Sequence, residues 1–128
     1  HLLGVTAALK TIEMLRDGTI HRRLWNMGNK ISNELNAVID ELELNASCVN
    51  FGSIWTLYFT RQVESYRDII HMAAHKKGYY KDVAYRNTLL NSGIFMQPYY
   101  TSRGFISAVH SDEEITKTIE NFTVQSID

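Results

Sequence analysis

Residues 93–115 constrain this chain more than any other stretch, because they spell a strand, a loop, a second strand and a helix start in order. Gly93-Ile94-Phe95-Met96-Gln97 reads as a short apolar strand, and Gly93 suits the left-handed end of a preceding helix. Pro98 stops that strand, since it has no N–H for a ladder. Tyr99-Tyr100-Thr101-Ser102-Arg103 forms a polar loop, and a second apolar strand begins at Gly104. Ser111 with Glu114 three residues on is a capping box, and Asp112, Glu113 and Glu114 place negative charge where the helix dipole favours it. A polar cluster braced at both ends is where ligand contact is expected. Within it, Arg103 fits a solvated loop arginine. It equally fits a carboxylate clamp, because its planar fork can donate two parallel hydrogen bonds.

Upstream, Val5, Ala8, Leu9, Ile12 and Leu15 recur at helical spacing, with Lys10, Glu13 and Arg16 opposite. Asp17-Gly18-Thr19 ends this helix, with glycine as the stop and Thr19 as the next cap. A longer helix runs to about Leu44 on a stripe of Ile20, Leu24, Met27, Ile31, Leu35, Val38 and Leu42, which Trp25 widens. Both helices are expected to pack against a common sheet. Residues 47–51 and 54–60 read as aromatic and β-branched strands around the Gly52-Ser53 break. Residues 69–77 and 79–91 read as helical, interrupted at Gly78, the second piece with Tyr80, Val83, Ala84 and Leu90 near one face. A last helix turns Ile115, Ile119 and Phe122 inward. This order predicts one α+β domain over residues 1–128, a mainly antiparallel sheet of about four strands with helices packed on one face.

A net charge of -1 gives no electrostatic basis for binding nucleic acid or an anionic membrane. No apolar run approaches the roughly 20 residues that span a bilayer. Cys48 is the single cysteine, which excludes an internal disulfide and fits a reducing, cytoplasmic compartment. It lies in an expected strand without a basic neighbour, so a buried inert thiol is expected rather than a nucleophile. His71 and His75 stand one helical turn apart, a spacing able to hold zinc. Met72 occupies the place of the protease glutamate and no third ligand is evident, so solvated histidines are expected and no metal site. Gly52-Ser53 is not a nucleophile elbow, and no phosphate loop or dinucleotide fingerprint is present. The chain starts at His1 inside a helical pattern, and the expectation is a fragment of something longer.

Three segments then carry a family resemblance over nearly the whole chain. Leu3-Gly4-Val5-Thr6-Ala7-Ala8-Leu9-Lys10-Thr11-Ile12-Glu13 resembles the segment after the Gly-Asn-Pro turn of class III aminotransferases, glutamate-1-semialdehyde aminomutases in particular. Residues 52–59 continue the likeness, and residues 93–98 with 104–115 complete it. The resemblance implies the C-terminal small domain of a fold type I, pyridoxal-phosphate-dependent enzyme. The Schiff-base lysine, the aspartate on the pyridinium nitrogen and most of the phosphate cup would then lie upstream. This stretch would hold no catalytic and no cofactor-binding residue, and would be inactive alone. The parent would be a homodimer acting on an amino acid or amine. Thr101-Ser102-Arg103-Gly104-Phe105 stands where aminomutase-like sequences carry Phe-Glu-Ala-Gly-Phe, so Ser102 takes the place of the cleft-facing glutamate. Ser102 and Arg103 are accordingly the candidate substrate-binding residues, with transamination as open as the mutase reaction. A rival reading is a stand-alone, non-catalytic α+β ligand-binding or interaction module.

Overall fold

The computed structural model describes residues 1–61, 63–65, 67–70, 76–97 and 103–125. Its elements run α1 (Leu2–Leu15), α2 (Thr19–Glu41), β1 (Ser47–Phe51), β2 (Ile54–Tyr58), α3 (Lys76–Asn91), β3 (Gly104–Phe105) and α4 (Asp112–Gln125), with a further helical piece at 67–70. The α+β architecture matches expectation. The sheet is antiparallel throughout, in the order β1-β2-β3.

Its three strands replace the expected four or so among the described residues. Residues 94–97 run without secondary structure and join no ladder. The Gln97 carbonyl instead accepts a hydrogen bond from Arg86 of α3, at 3.0 Å. β2 also stops at Tyr58, short of Thr60, because side chains take over its partners. Ser47 Oγ donates to the Thr60 carbonyl, and Asn45 accepts from the Arg61 amide.

Register sorts the sheet into two unlike faces, since paired residues project to the same side. Cys48, Trp55, Leu57 and Gly104 share one face and are buried. Against them pack Met27, Ile31, Leu35 and Ile39 of α2, with Ile115, Ile119 and Phe122 of α4 in the same core. Each fully buried leucine or isoleucine of this kind contributes about 1.5–3 kcal/mol. Val49, Phe51, Ile54 and Phe105 share the opposite face, where Phe51 and Phe105 are exposed. Among the described residues the helices pack mainly on the first face. The second is exposed at Val49, Phe51 and Phe105, although Thr56 there is buried and Trp25 meets Phe51.

The α2 stripe is close to its sequence reading, with Ile39 buried in place of Leu42 at the end. Gly28 is part of it for want of a side chain: a Cβ there would meet the Gly52 carbonyl oxygen of the hairpin turn. Trp25 stacks beside that turn, edge-on to Phe51 at 5.2 Å between ring centroids. Asn36 seals the edge of β1. Its Oδ1 accepts from the Cys48 amide at 2.8 Å and its Nδ2 donates to the Cys48 carbonyl at 2.8 Å, as a neighbouring strand would.

Three expectations are corrected. α1 does not pack on the sheet with α2; none of its residues is buried, and its apolar side chains stand in solvent. Gly18, at φ 71°, takes the N-cap of α2 in place of Thr19, and the Asp17 carboxylate accepts from both the Thr19 amide and hydroxyl. Gly78 does not interrupt α3 but lies buried within it, where an interior glycine costs only about 1 kcal/mol.

Candidate functional site

The loop expected to carry function is held firmly on both flanks. On the near side, α3 ends in a Schellman motif: the Ile94 amide reaches back to the Leu89 carbonyl at 2.9 Å and the Gly93 amide to Leu90 at 3.0 Å. Gly93 sits at φ 80°, a conformation that favours glycine, as the sequence indicated. On the far side, Gly104 pairs with Trp55, and a Cβ at Gly104 would collide with the indole ring. The strand can lie that close only because this residue lacks a side chain.

After β3 the chain turns and enters α4. Arg23 of α2 donates to the carbonyls of Ala108 and His110, at 3.2 and 2.9 Å, and so ties this turn to the body of the domain. His110 Nδ1 accepts the Ser107 amide at 2.9 Å, which places the proton of the neutral ring on Nε2. The capping box forms reciprocally: Glu114 accepts from the Ser111 amide at 2.7 Å, and the Glu114 amide donates to Ser111 Oγ at 3.2 Å. Those bonds from Ser111 hold the Glu114 carboxyl below its ordinary value.

Between the two flanks lies a cleft of about 340 Å³. Ile31, Trp55 and Ile115 line it from the core, while His110, Glu114 and Lys117 add polar groups. Phe95 and Met96 stand on the near side and Phe105 and Ile106 on the far side, so the two flanks of the loop share one opening. Arg103 is exposed and, among the described residues, makes no hydrogen bond or ion pair. Ser102 lies outside the described residues, as do Tyr99 and Tyr100 of the same loop.

His71 and His75 also lie outside the described residues, and no cluster of three metal-ligating side chains occurs among those described. Cys48 is buried, and burial pushes its thiol up to about 12, far from the reactive range. No helix among the described residues is long and apolar enough to cross a membrane.

Sequence reasoning missed the side chains that anchor the near flank. Asp82 and Arg86 of α3 form a buried, two-bonded ion pair, Arg86 Nε to Asp82 Oδ2 at 2.8 Å and Nη2 to Oδ1 at 3.0 Å. The expected face of α3 was Tyr80, Val83, Ala84 and Leu90. Tyr80 and Leu90 are instead exposed, and the buried face is Gly78, Asp82, Arg86 and Leu89. The available signal was the Asp82–Arg86 spacing of four, the orientation that favours an ion pair along a helix.

No family model matches the chain. Curated proteins do match it. It is 30% identical over 122 residues to the glutamate-1-semialdehyde 2,1-aminomutase of Methanobrevibacter smithii, covering 95% of this chain and 28% of that protein. It is 32% identical over 120 residues to the 3-aminobutyryl-CoA aminotransferase of Cloacimonas acidaminovorans, covering 91% of this chain and 25% of that protein. Among solved structures, a β-phenylalanine aminotransferase from Variovorax paradoxus shares its fold with a TM-score of 0.67 at 20% identity, over 80% of this chain and 23% of that one. The chain therefore shares its fold with a part of that aminotransferase. The particular region is the C-terminal part of class III aminotransferases and glutamate-1-semialdehyde aminomutases, to which the chain aligns. It spans about a quarter of the length of these relatives.

Proposed function

We propose that this chain is the C-terminal small domain, residues 1–128, of a pyridoxal-phosphate-dependent class III aminotransferase or glutamate-1-semialdehyde aminomutase-like enzyme, in which it forms part of the substrate cleft. The observation that carries this reading is the exposed apolar part of the sheet's second face. Helices cover the face of Cys48, Trp55 and Leu57, while the face of Val49, Phe51, Ile54 and Phe105 offers apolar surface to a further body. A fold of this kind suits a wall rather than a free-standing module.

The described residues do not by themselves build a pyridoxal-phosphate site. Lys10 pairs with Glu13 on exposed α1, Lys30 donates to Thr116, and Lys81 and Lys117 are exposed on helices. Holding the cofactor belongs to the remainder of the parent. Bound there, pyridoxal phosphate supplies the acceptor that takes an amino group from one substrate and returns it to another.

Ser102 and Arg103 are the substrate-contacting residues in this reading. Phe105 pairs with Ile54 on the open face, and Arg103, two residues before it, is exposed. Relative to the Phe-Glu-Ala-Gly-Phe pattern, Ser102 removes a negative charge and Arg103 adds a positive one. That exchange favours an amino acid, whose carboxylate the guanidinium can clamp, over a plain amine. The parent is a cytoplasmic homodimer in the same reading.

Replacing Arg103 by alanine in the complete protein tests it. Losing a two-bonded carboxylate contact should cost about 1.5–3 kcal/mol in kcat/KM toward an amino acid and little toward a carboxylate-free amine. Unchanged kinetics toward both would leave Arg103 a solvated surface residue.

A further inference from the structure

We propose that Arg86, aimed by Asp82, is a positioning residue for substrate recognition, fixing the main chain at Gln97 and so setting the wall of the cleft that faces Gly104 and Phe105. The inference rests on the functional reading above and adds a residue to it that touches no substrate.

Asp82 and Arg86 are 2% and 6% exposed. Burying such a pair is expensive, and well-packed apolar residues of similar volume are often as stable or more so. Stability alone therefore does not account for two charges at this depth. What the pair provides that leucine and methionine could not is direction. Two bonds to Asp82 fix the plane of the guanidinium, and Nη1 then points at the Gln97 carbonyl, 3.0 Å away. Residues 94–97 join no ladder, so the sheet does not place them. The Schellman turn holds one end, Ile94 and Met96 pack into the core, and Arg86 holds the main chain at Gln97. Phe95 and Met96 of this segment line the same cleft as Gly104 and Phe105, the residues that follow Arg103. A shift at Gln97 thus moves Phe95 and Met96 against Gly104 and Phe105 and changes the width of that opening.

The complete protein carries the test, with three variants: Arg86→Lys, Arg86→Gln, and the paired Asp82→Leu with Arg86→Met. Thermal melting reports whether each folds, and hydrogen exchange reports on residues 94–97. The expected result is faster exchange there with α4 protection unchanged. With it, KM for an amino-acid donor should rise about tenfold at nearly constant kcat, KM for a carboxylate-free amine should hold, and Arg86→Lys should restore part of the loss. Should the paired variant fail to fold, the two single variants decide the matter alone. A folded variant with unaltered KM for the amino acid overturns the proposal, as does an equal loss toward both donors that tracks melting temperature. A wild-type protein that transfers no amino group from any donor contradicts the functional reading instead. In that case the exchange measurement still judges whether Arg86 holds Gln97.

Discussion

Helices α1 and α3 invert the usual relation between hydropathy and burial. α1 is rich in apolar residues, yet Leu9 and Ile12 are 58% and 61% exposed and nothing in the helix is buried. α3 lacks an apolar stripe, and the chain places two charged side chains in its buried face. Hydropathy states what a helix would gain from cover; it does not supply the cover. α1 has apolar surface and no partner among the described residues beyond the start of α2. α3 faces the core with groups that neutralise each other and satisfy a carbonyl. One helix leaves its apolar face open, the other directs its charge to a geometry inside the domain.

The largest expected effect strikes α3. Asp82→Ala strands a buried guanidinium and should destabilise the domain by about 3–5 kcal/mol in urea unfolding. A loss under 1 kcal/mol would mean water reaches the pair and the contrast with α1 is overdrawn. Next comes the edge of β1, where Asn36→Ala removes both bonds to Cys48 and should cost about 2 kcal/mol by the same method. Tyr85 sharpens the lesson from the other direction. Its hydroxyl is buried, has no hydrogen-bond partner among the described residues, and is pushed up by burial among Phe59, Phe122 and the core. Tyr85→Phe should therefore stabilise the domain by about 1 kcal/mol, read as a higher melting temperature. A polar group in the core is an asset only when it is paired.

On α1 the expected change in stability is smallest. Leu9→Asp should alter unfolding by less than about 0.5 kcal/mol, because the side chain is already in water. Association is where it should register. The isolated chain is expected to self-associate with rising concentration in light scattering, and Leu9→Asp to abolish this. The pH dependence is also local. Glu114 is held below its ordinary value of 4.5, so its contribution to the α4 cap is complete above that pH. It is lost as pH falls through 4.5 and on through the lower folded value, so exchange of the Ser111 amide should quicken there while the α2 core stays protected.

Local signals were legible in the sequence. Gly93 at a helix end, the Ser111–Glu114 box, the two strands about Gly52 and the α2 stripe all rest on contacts within a few residues. The buried Cys48 followed from its place in a strand. Contacts between distant residues were not legible. Nothing near Asn36 says that its amide will replace a strand beside Cys48, and nothing near Gln97 says that a guanidinium eleven positions earlier will hold it. A glycine at position 78 reads as a break until it is seen buried within a continuous helix. The candidate site was legible as a place, through its flanks; Ser102, named through family resemblance, lies outside the described residues.

The most direct test is the cofactor content of the protein encoded by the complete reading frame that contains this chain. Purified and dialysed, it is expected to carry one pyridoxal phosphate per chain and to move an amino group from an amino acid to a keto acid. The 128-residue chain alone should give no stoichiometric, borohydride-trappable lysine adduct. A complete protein without cofactor or amino transfer, or a specific lysine adduct on the isolated chain, would contradict its place as the non-catalytic wall of an aminotransferase.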